Sequence, residues 1–277
     1  VDLDHQAWLG GTLAEIAAEK SAIIRGGVAI AAAQAPEATA VLVRRASEAG
    51  VPLLLAGRDL HVAVERRGLD GQWIACAGPG WSLGGLRVGM LGTFQPENAL
   101  LAVAAAQELR VPEAAIRAGL DVARWPGRFQ VVRYRDGWLV LDGAHNPGAA
   151  RALAESLAAF FPGEPLTLVI GISRDKDARA MLGALAPAAS RVILTAAANP
   201  RAADPEALRA LLPSGVAAVR TARSVEEALA MGSEGGSTPI LCVAGSLFLV
   251  GEALRHLAGG DKPCPVEKGA DSMVSLF

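Results

Sequence analysis

Asp142, His145 and Asn146 stand together in the stretch Asp142-Gly143-Ala144-His145-Asn146-Pro147, which closes the apolar run Trp138 to Leu141. A carboxylate, an imidazole and an amide set so close can accept a ligand hydroxyl, move a proton or cap a helix. Upstream, Arg128 follows Pro126-Gly127, a pair that rules out a regular helix or a central strand, so its guanidinium belongs to a loop and is suited to clamp an anion. A third polar stretch, Ser173-Arg174-Asp175-Lys176-Asp177, carries Lys176, either a cation for phosphate or carboxylate or one member of a helix-cap cluster. Near the start of the chain, His5 and Lys20 read by themselves as a solvated imidazole and a surface ammonium paired along its own helix. Gln95 and Asn98 stand where a helix opens, a position at which Asn is usually a cap.

The elements that must carry these groups follow from periodicity. Trp138 to Leu141 is short, aliphatic and stopped by Asp-Gly, which predicts a buried strand. Ala149 to Phe161 has helical spacing, with Ala150, Leu153, Leu157 and Phe160 on one face, so the Asp-His-Asn loop sits at a strand-to-helix turn. Further strands are expected at 129–134, 166–170, 191–195, 217–220 and 240–244, with helical patterns between most of them. Such alternation predicts a largely parallel, doubly wound sheet. Four of the strands end in polar loops, 142–146, 173–177, 199–201 and 245–246, which a parallel sheet would bring to one edge. Before them, Thr12 and Glu15 form a capping box for a helix expected to run to about Ile23 and stop at Gly26-Gly27. A strand at 27–33, a helix at 36–49, a strand at 52–56 and a small antiparallel portion over 60–88 come next. The helix opened by 91–99 is read with Leu101, Ala105 and Leu109 on one face, and a short helix at 112–122 leads to a boundary after Arg124.

Composition bounds the class. The chain of 277 residues is 52% hydrophobic and 19% charged, enough apolar surface for one large or two ordinary domains. The formal net charge of -2, without a basic run, argues against nucleic acid and anionic membranes as partners. Cys76, Cys242 and Cys264 are far apart and odd in number, which fits a reducing cytoplasmic setting and buried small hydrophobes better than a disulfide framework. No stretch is long and apolar enough for a membrane span, and Val1 to His5 has no signal-peptide pattern.

Trp125-Pro126-Gly127-Arg128-Phe129 followed by Leu141-Asp142-Gly143-Ala144-His145-Asn146-Pro147 resembles the start of the C-terminal domain of the folylpolyglutamate synthase and dihydrofolate synthase family, a branch of the Mur ligases. Asp4-His5, Leu9-Gly10 and Ile16-Ala17-Ala18-Glu19-Lys20 resemble its magnesium and carbamylated-lysine motifs, Gln95 to Ala99 its adenine motif, and Gly171 to Asp177 its Gly-x-x-x-Asp-Lys-Asp motif. The resemblance implies an α/β chain: part of a P-loop-type central ATPase domain over 1–124, a Rossmann-like, mostly parallel-sheet Mur ligase C-terminal domain over 125–258, and a poorly ordered tail over 259–277. It implies ATP and Mg2+ as cofactors. The reaction it implies joins L-glutamate to tetrahydrofolate or dihydropteroate through an acyl phosphate, in a cytoplasmic enzyme that is monomeric at full length. By resemblance His5 and a carbamylated Lys20 hold the metal, Gln95 and Asn98 contact adenine, Asp142 takes a ribose hydroxyl, and Arg128, His145 and Lys176 face phosphate or substrate. Arg128 and Asp142 are expected to meet the nucleotide from either side of a cleft between domains. Phe94 stands where the family often has His.

The Gly-x-x-x-x-Gly-Lys-Ser/Thr loop is absent from the sequence. The chain is therefore read as a C-terminal portion lacking the P-loop half and inactive alone. A nonenzymatic binding remnant, or a Mur-type ligase for another acid, are the alternatives.

Overall fold

The computed structural model describes residues 10–216, 218–234 and 239–259. His5 and the tail beyond 259 lie outside the described residues, as does Cys264. The chain divides into two compact units, one from the described residues of Val1–Gly89 and Phe94–Ala123, the other from Met90–Thr93 and the described residues of Arg124–Phe277.

In the first unit the Thr12 hydroxyl accepts from the Glu15 N–H, and the Glu15 carboxylate answers the Thr12 N–H, opening α1 (Leu13–Ser21). The helix ends before the expected Ile23: the Ser21 hydroxyl bonds back to the Ala18 carbonyl, and the β-branched pair Ile23-Ile24 follows. Strands β1 (Ala29–Ala31) and β2 (Leu53–Leu55) pair in parallel around α2 (Pro36–Glu48). Strands β3 (His61–Gly68), β4 (Gly71–Gly78) and β5 (Trp81–Val88) form an antiparallel sheet in chain order. Helix α3 (Gln95–Glu108) turns Ala99, Leu100, Val103 and Ala104 inward. The expected face of Leu101, Ala105 and Leu109 is thus wrong by a residue's rotation, and Leu109 is 78% exposed. Alanine-rich segments give a weak apolar contrast, so tertiary packing decides which side faces in. Helix α4 (Glu113–Val122) ends the unit.

In the second unit, β6 (Gln130–Tyr134), β7 (Gly137–Asp142), β8 (Leu166–Ile170), β9 (Arg191–Leu194), β10 (Val219–Thr221) and β11 (Ile240–Ala244) form one sheet in the order β10-β9-β8-β11-β7-β6. Every pair is parallel except β6 with β7. Helices α5 (Pro147–Phe160), α6 (Ala178–Leu185), α7 (Pro205–Arg209), α8 (Val225–Gly232) and α9 (Leu247–Gly259) connect or follow the strands. The chain runs outward from β7 to β10 and then returns to insert β11 between β8 and β7. Right-handed crossovers therefore put α5 and α6 on one face and α8 on the other. Leu139, Leu141, Val169, Ile193, Leu241 and Val243 bury one sheet face against Leu229 of α8 and Leu249, Val250 and Ala253 of α9. Each Leu, Ile and Val among them contributes about 1.5–3 kcal/mol of burial free energy.

Arg128 and Asp142 belong to this one unit, which corrects their expected approach from two sides of an interdomain cleft. The antiparallel hairpin is the reason: β6 and β7 pair with Gln130 opposite Leu141, so the residues just outside that pair are neighbours.

Candidate functional site

Registers across the sheet pair Ala244 with both Asp142 and Ile170, and Ile170 with Leu194. The carboxyl ends of β7, β8, β9 and β11 are therefore level, and the loops that follow them share one edge. Strand β7 runs on toward α5 and β11 toward α9, helices on opposite faces of the sheet. Such a divergence between adjacent strands is where open α/β sheets form a ligand crevice.

Glycines let the backbone close up at this edge. A Cβ on Gly171 would lie 2.7 Å from the Thr195 carbonyl oxygen, and one on Gly245, whose φ is +106°, would lie 2.6 Å from the Gly171 carbonyl oxygen. A Cβ on Gly143 would meet Leu247 Cδ2 at 2.3 Å.

Asp142 ends β7 with 4% of its surface exposed. Its Oδ2 accepts the Phe129 N–H at 2.7 Å and its Oδ1 accepts the Ala144 N–H at 2.8 Å. Burial raises its pKa from the ordinary carboxylate value. The two amides, and the charges of Arg128 and His145, pull the other way without overcoming the loss of solvation. The Gly143 N–H donates to the Gly127 carbonyl at 2.8 Å, and the Gly127 N–H donates to Gln130 Oε1 at 3.0 Å. Arg128 is exposed at the crest of the turn so held, and its neighbour Phe129 is buried with φ +44°. His145 directs Nδ1 at the Gly143 carbonyl, 2.8 Å away; with the proton on Nδ1, Nε2 is the basic nitrogen. The side chain of Asn146 caps α5 by accepting the Ala149 N–H at 2.8 Å.

The loop after β8 is tied to the loop after β9. Ser173 bridges to Ala202, the Arg174 N–H donates to the Arg201 carbonyl at 2.8 Å, and Arg174 Nε donates to the Ala202 carbonyl at 2.9 Å. Asp177 caps α6, so part of the cap cluster allowed by the sequence is present. Lys176 is 17% exposed at its side chain, with its ammonium 3.9 Å from the Asp175 carboxylate. After β11, the Ser246 hydroxyl accepts the Phe248 N–H at 3.2 Å, and Arg201 lies over the Phe248 ring, 5.7 Å from its centroid.

In the first unit, Gln95 is buried and its Oε1 accepts from Nδ2 of the exposed Asn98 at 3.1 Å. Their neighbour Glu97 accepts the Ala33 N–H at 3.0 Å, tying the segment after β1 to the start of α3. Lys20 is exposed in the last turn of α1. Among the described residues no three His, Cys, Asp or Glu side chains gather as a metal cluster. Cys76 and Cys242 are buried with thiol pKa values raised by burial, Cys76 to about 11, as inert small hydrophobes should be.

Several contributors escaped the sequence reading. Gln130 supports the Arg128 turn, Glu252 of α9 accepts the Ala198 N–H at 2.8 Å, and Leu247 packs on Gly143. A polar residue at the first position of a strand was the one available hint, at Gln130. Nothing in the helical pattern of α9 singles out Glu252.

Comparison with known proteins adds a second line. Residues 127–247 match the family model for the Mur ligase, glutamate ligase domain. A probable bifunctional folylpolyglutamate synthase/dihydropteroate synthase of Halobacterium salinarum is 37% identical over 258 residues, 91% of this chain and 31% of its own length. The folylpolyglutamate synthase of Lacticaseibacillus casei is 31% identical over 267 residues, 94% of this chain and 61% of its own length. The structure of Mycobacterium tuberculosis folylpolyglutamate synthase complexed with ADP and AMPPCP superposes with a TM-score of 0.81 at 29% identity, over 95% of this chain and 63% of that one. The chain thus spans between 31% and 61% of the length of these two curated relatives.

That superposition corrects one expectation. It takes in the first unit as well as the second, so the chain carries an N-terminal ATPase-like domain together with the ligase domain and is not a C-terminal-only portion without that domain. The absent eight-residue loop signature pointed to a portion lacking the P-loop half, but a local signature does not delimit a domain. A domain is defined by its packed layers, and the first unit has its own helices and sheets.

Proposed function

We propose that the chain belongs to the folylpolyglutamate synthase and dihydrofolate synthase branch of the Mur ligases and works in an ATP-dependent carboxylate-amine ligase. On this reading 1–124 serves the ATPase part and 125–258 the ligase part. ATP phosphorylates the carboxylate of a folate or pteroate; the amino group of L-glutamate attacks the acyl phosphate carbonyl, forming the amide and expelling phosphate. The similarity to relatives that carry these activities in their names supports it, as does the ADP and AMPPCP complex of the mycobacterial structure.

Phosphoryl transfer needs positioned positive charge more than a covalent nucleophile. Arg128 is assigned the clamp on phosphate oxygens. Its exposed guanidinium on a turn locked into the crevice edge is the observation that carries the proposal. Lys176, in the loop between β8 and α6, is assigned a second phosphate or carboxylate contact. His145 is assigned a substrate-positioning role. Gln95 and Asn98 are assigned the adenine, Gln95 fixing the amide of Asn98. Asp142 is assigned a ribose hydroxyl, and each of its oxygens, already taking one backbone amide, keeps a second acceptor site.

Magnesium would accompany the phosphates of ATP and neutralise their charge. His5 lies outside the described residues and Lys20 is an exposed amine, so the described residues offer no oxygen cluster that fits the ion, and no step is derived through it.

The test is ligation by the protein that carries this chain, with ATP, Mg2+, radiolabelled L-glutamate and either tetrahydrofolate or dihydropteroate. Glutamate incorporation with matching phosphate release is expected, and Arg128→Ala should lower it about 100-fold or more. Undiminished ligation in Arg128→Ala would remove the proposal's basis.

A further inference from the structure

Beyond Ala31 the chain leaves the parallel pair of β1 and β2, whose last registered residues are Ala31 and Leu55. A backbone that leaves a ladder must find new partners for its amides and carbonyls. Side chains supply them here. The Glu97 carboxylate takes the Ala33 N–H at 3.0 Å, the Gln34 side-chain amide donates to the Ala32 carbonyl at 3.3 Å, and the Thr39 hydroxyl donates to the Gln34 carbonyl at 3.3 Å. The Thr39 N–H donates to the Ala35 carbonyl at 2.9 Å as α2 begins. Residues 32–35 are thus a built turn between the carboxyl end of a parallel strand and the start of a helix, the place where α/β sheets receive ligands. Ala32 and Ala33 carry only methyl side chains and Ala33 is exposed, so the turn presents a low apolar strip.

Glu97 bonds this strip to α3. A glutamate at the third position of a helix commonly turns back to cap its own first turn, whereas Glu97 reaches a residue 64 positions away in the chain. It stands between Gln95 and Asn98, whose side chains meet at 3.1 Å. That bond uses one hydrogen of the Asn98 amide, which also carries a second hydrogen and an acceptor oxygen, the pair that suits the ring nitrogen and amino group of adenine. We propose that Glu97 is a positioning residue for the base: its carboxylate holds the Ala32-Ala33 strip as a wall of the adenine site beside the amide of Asn98. The proposal rests on the reading of Gln95 and Asn98 as the adenine contact. A planar base buries its faces on apolar surface and is read at its polar edge, so the wall and the edge reader must be fixed to one another. One charge-assisted bond from the helix that carries the reader does this.

Inorganic tripolyphosphate lacks a base and so separates this role from general support of the fold. Binding of ATP and of tripolyphosphate would be measured by calorimetry on the protein that carries this chain and on its Glu97→Ala and Asn98→Ala variants. Glu97→Ala should weaken ATP about tenfold, the size of one charge-assisted hydrogen bond, and leave tripolyphosphate unchanged. In ligation assays the same variant should raise the KM for ATP with kcat little changed, because the wall binds the base alike in the ground and transition states.

A loss shared equally by ATP and tripolyphosphate in Glu97→Ala, or no loss with either, overturns the proposal. If Asn98→Ala still loses ATP alone, the adenine reading stands. Unchanged ATP binding in Asn98→Ala overturns that reading and the proposal with it. Should Glu97→Ala fail to fold, hydrogen exchange in the unaltered protein decides. Saturating ATP should slow exchange across residues 32–34 and saturating tripolyphosphate should not; equal effects of the two overturn the proposal.

Discussion

At Asp142, solvation and hydrogen bonding oppose each other, and solvation loss is the larger effect. A carboxyl whose folded pKa is raised contributes stability that is fully present below its unfolded value, near 3.8, and lost as pH rises through the folded value. The stability of the wild type relative to Asp142→Asn should therefore fall as pH climbs through that window and level off above it. Urea unfolding at a series of pH values checks this, and a difference that grows with pH would contradict it. Gly245 shows a second kind of single-residue constraint. Its φ of +106° and the Gly171 carbonyl 2.6 Å from its would-be Cβ leave no room for a side chain, and the obstacle is backbone. Gly245→Ala should cost about 3 kcal/mol or more, read from the urea midpoint at unchanged slope.

At the scale of elements, the site is made by strand ends and helix starts together. Strand β7 delivers Asp142, and the next helix begins only because Asn146 can close its first turn on the Ala149 N–H. Asn146→Ala should cost about 1 kcal/mol and leave the sheet intact, measured by chemical denaturation. The β6–β7 hairpin is what makes Arg128 and Asp142 neighbours, whereas a parallel pair would have put their ends at opposite edges. The segment Met90–Thr93 joins the second unit through Ser156 of α5, whose hydroxyl takes the Thr93 N–H at 3.0 Å and donates to the Ala152 carbonyl at 2.7 Å. Ser156→Ala would take away that amide's acceptor, an expected loss of about 1 kcal/mol with faster hydrogen exchange at Thr93.

Across the whole molecule, two α/β units, each with its own sheets, carry different candidate groups: Gln95 and Asn98 in the first, Arg128, Asp142, His145 and Lys176 in the second. No helix among the described residues is long and apolar enough to cross a membrane. The α/β class, the order of the strands along the chain and the polar loops at their ends were legible because each depends on local periodicity and turn chemistry. Thr12 with Glu15, Asp-Gly after Leu141 and Asn146 before Pro147 each announce an element boundary through bonds made within a few residues. What only the tertiary structure decided involves partners far apart in sequence. The insertion of β11 between β7 and β8, the inward face of α3, and the support that Gln130 and Glu252 lend to neighbouring loops leave no local trace. The acidity of Asp142 belongs with them. Its residue type announced a carboxylate, but burial against the Phe129 and Ala144 amides is a property of the folded hairpin, since desolvation arises only once the surrounding chain has excluded water.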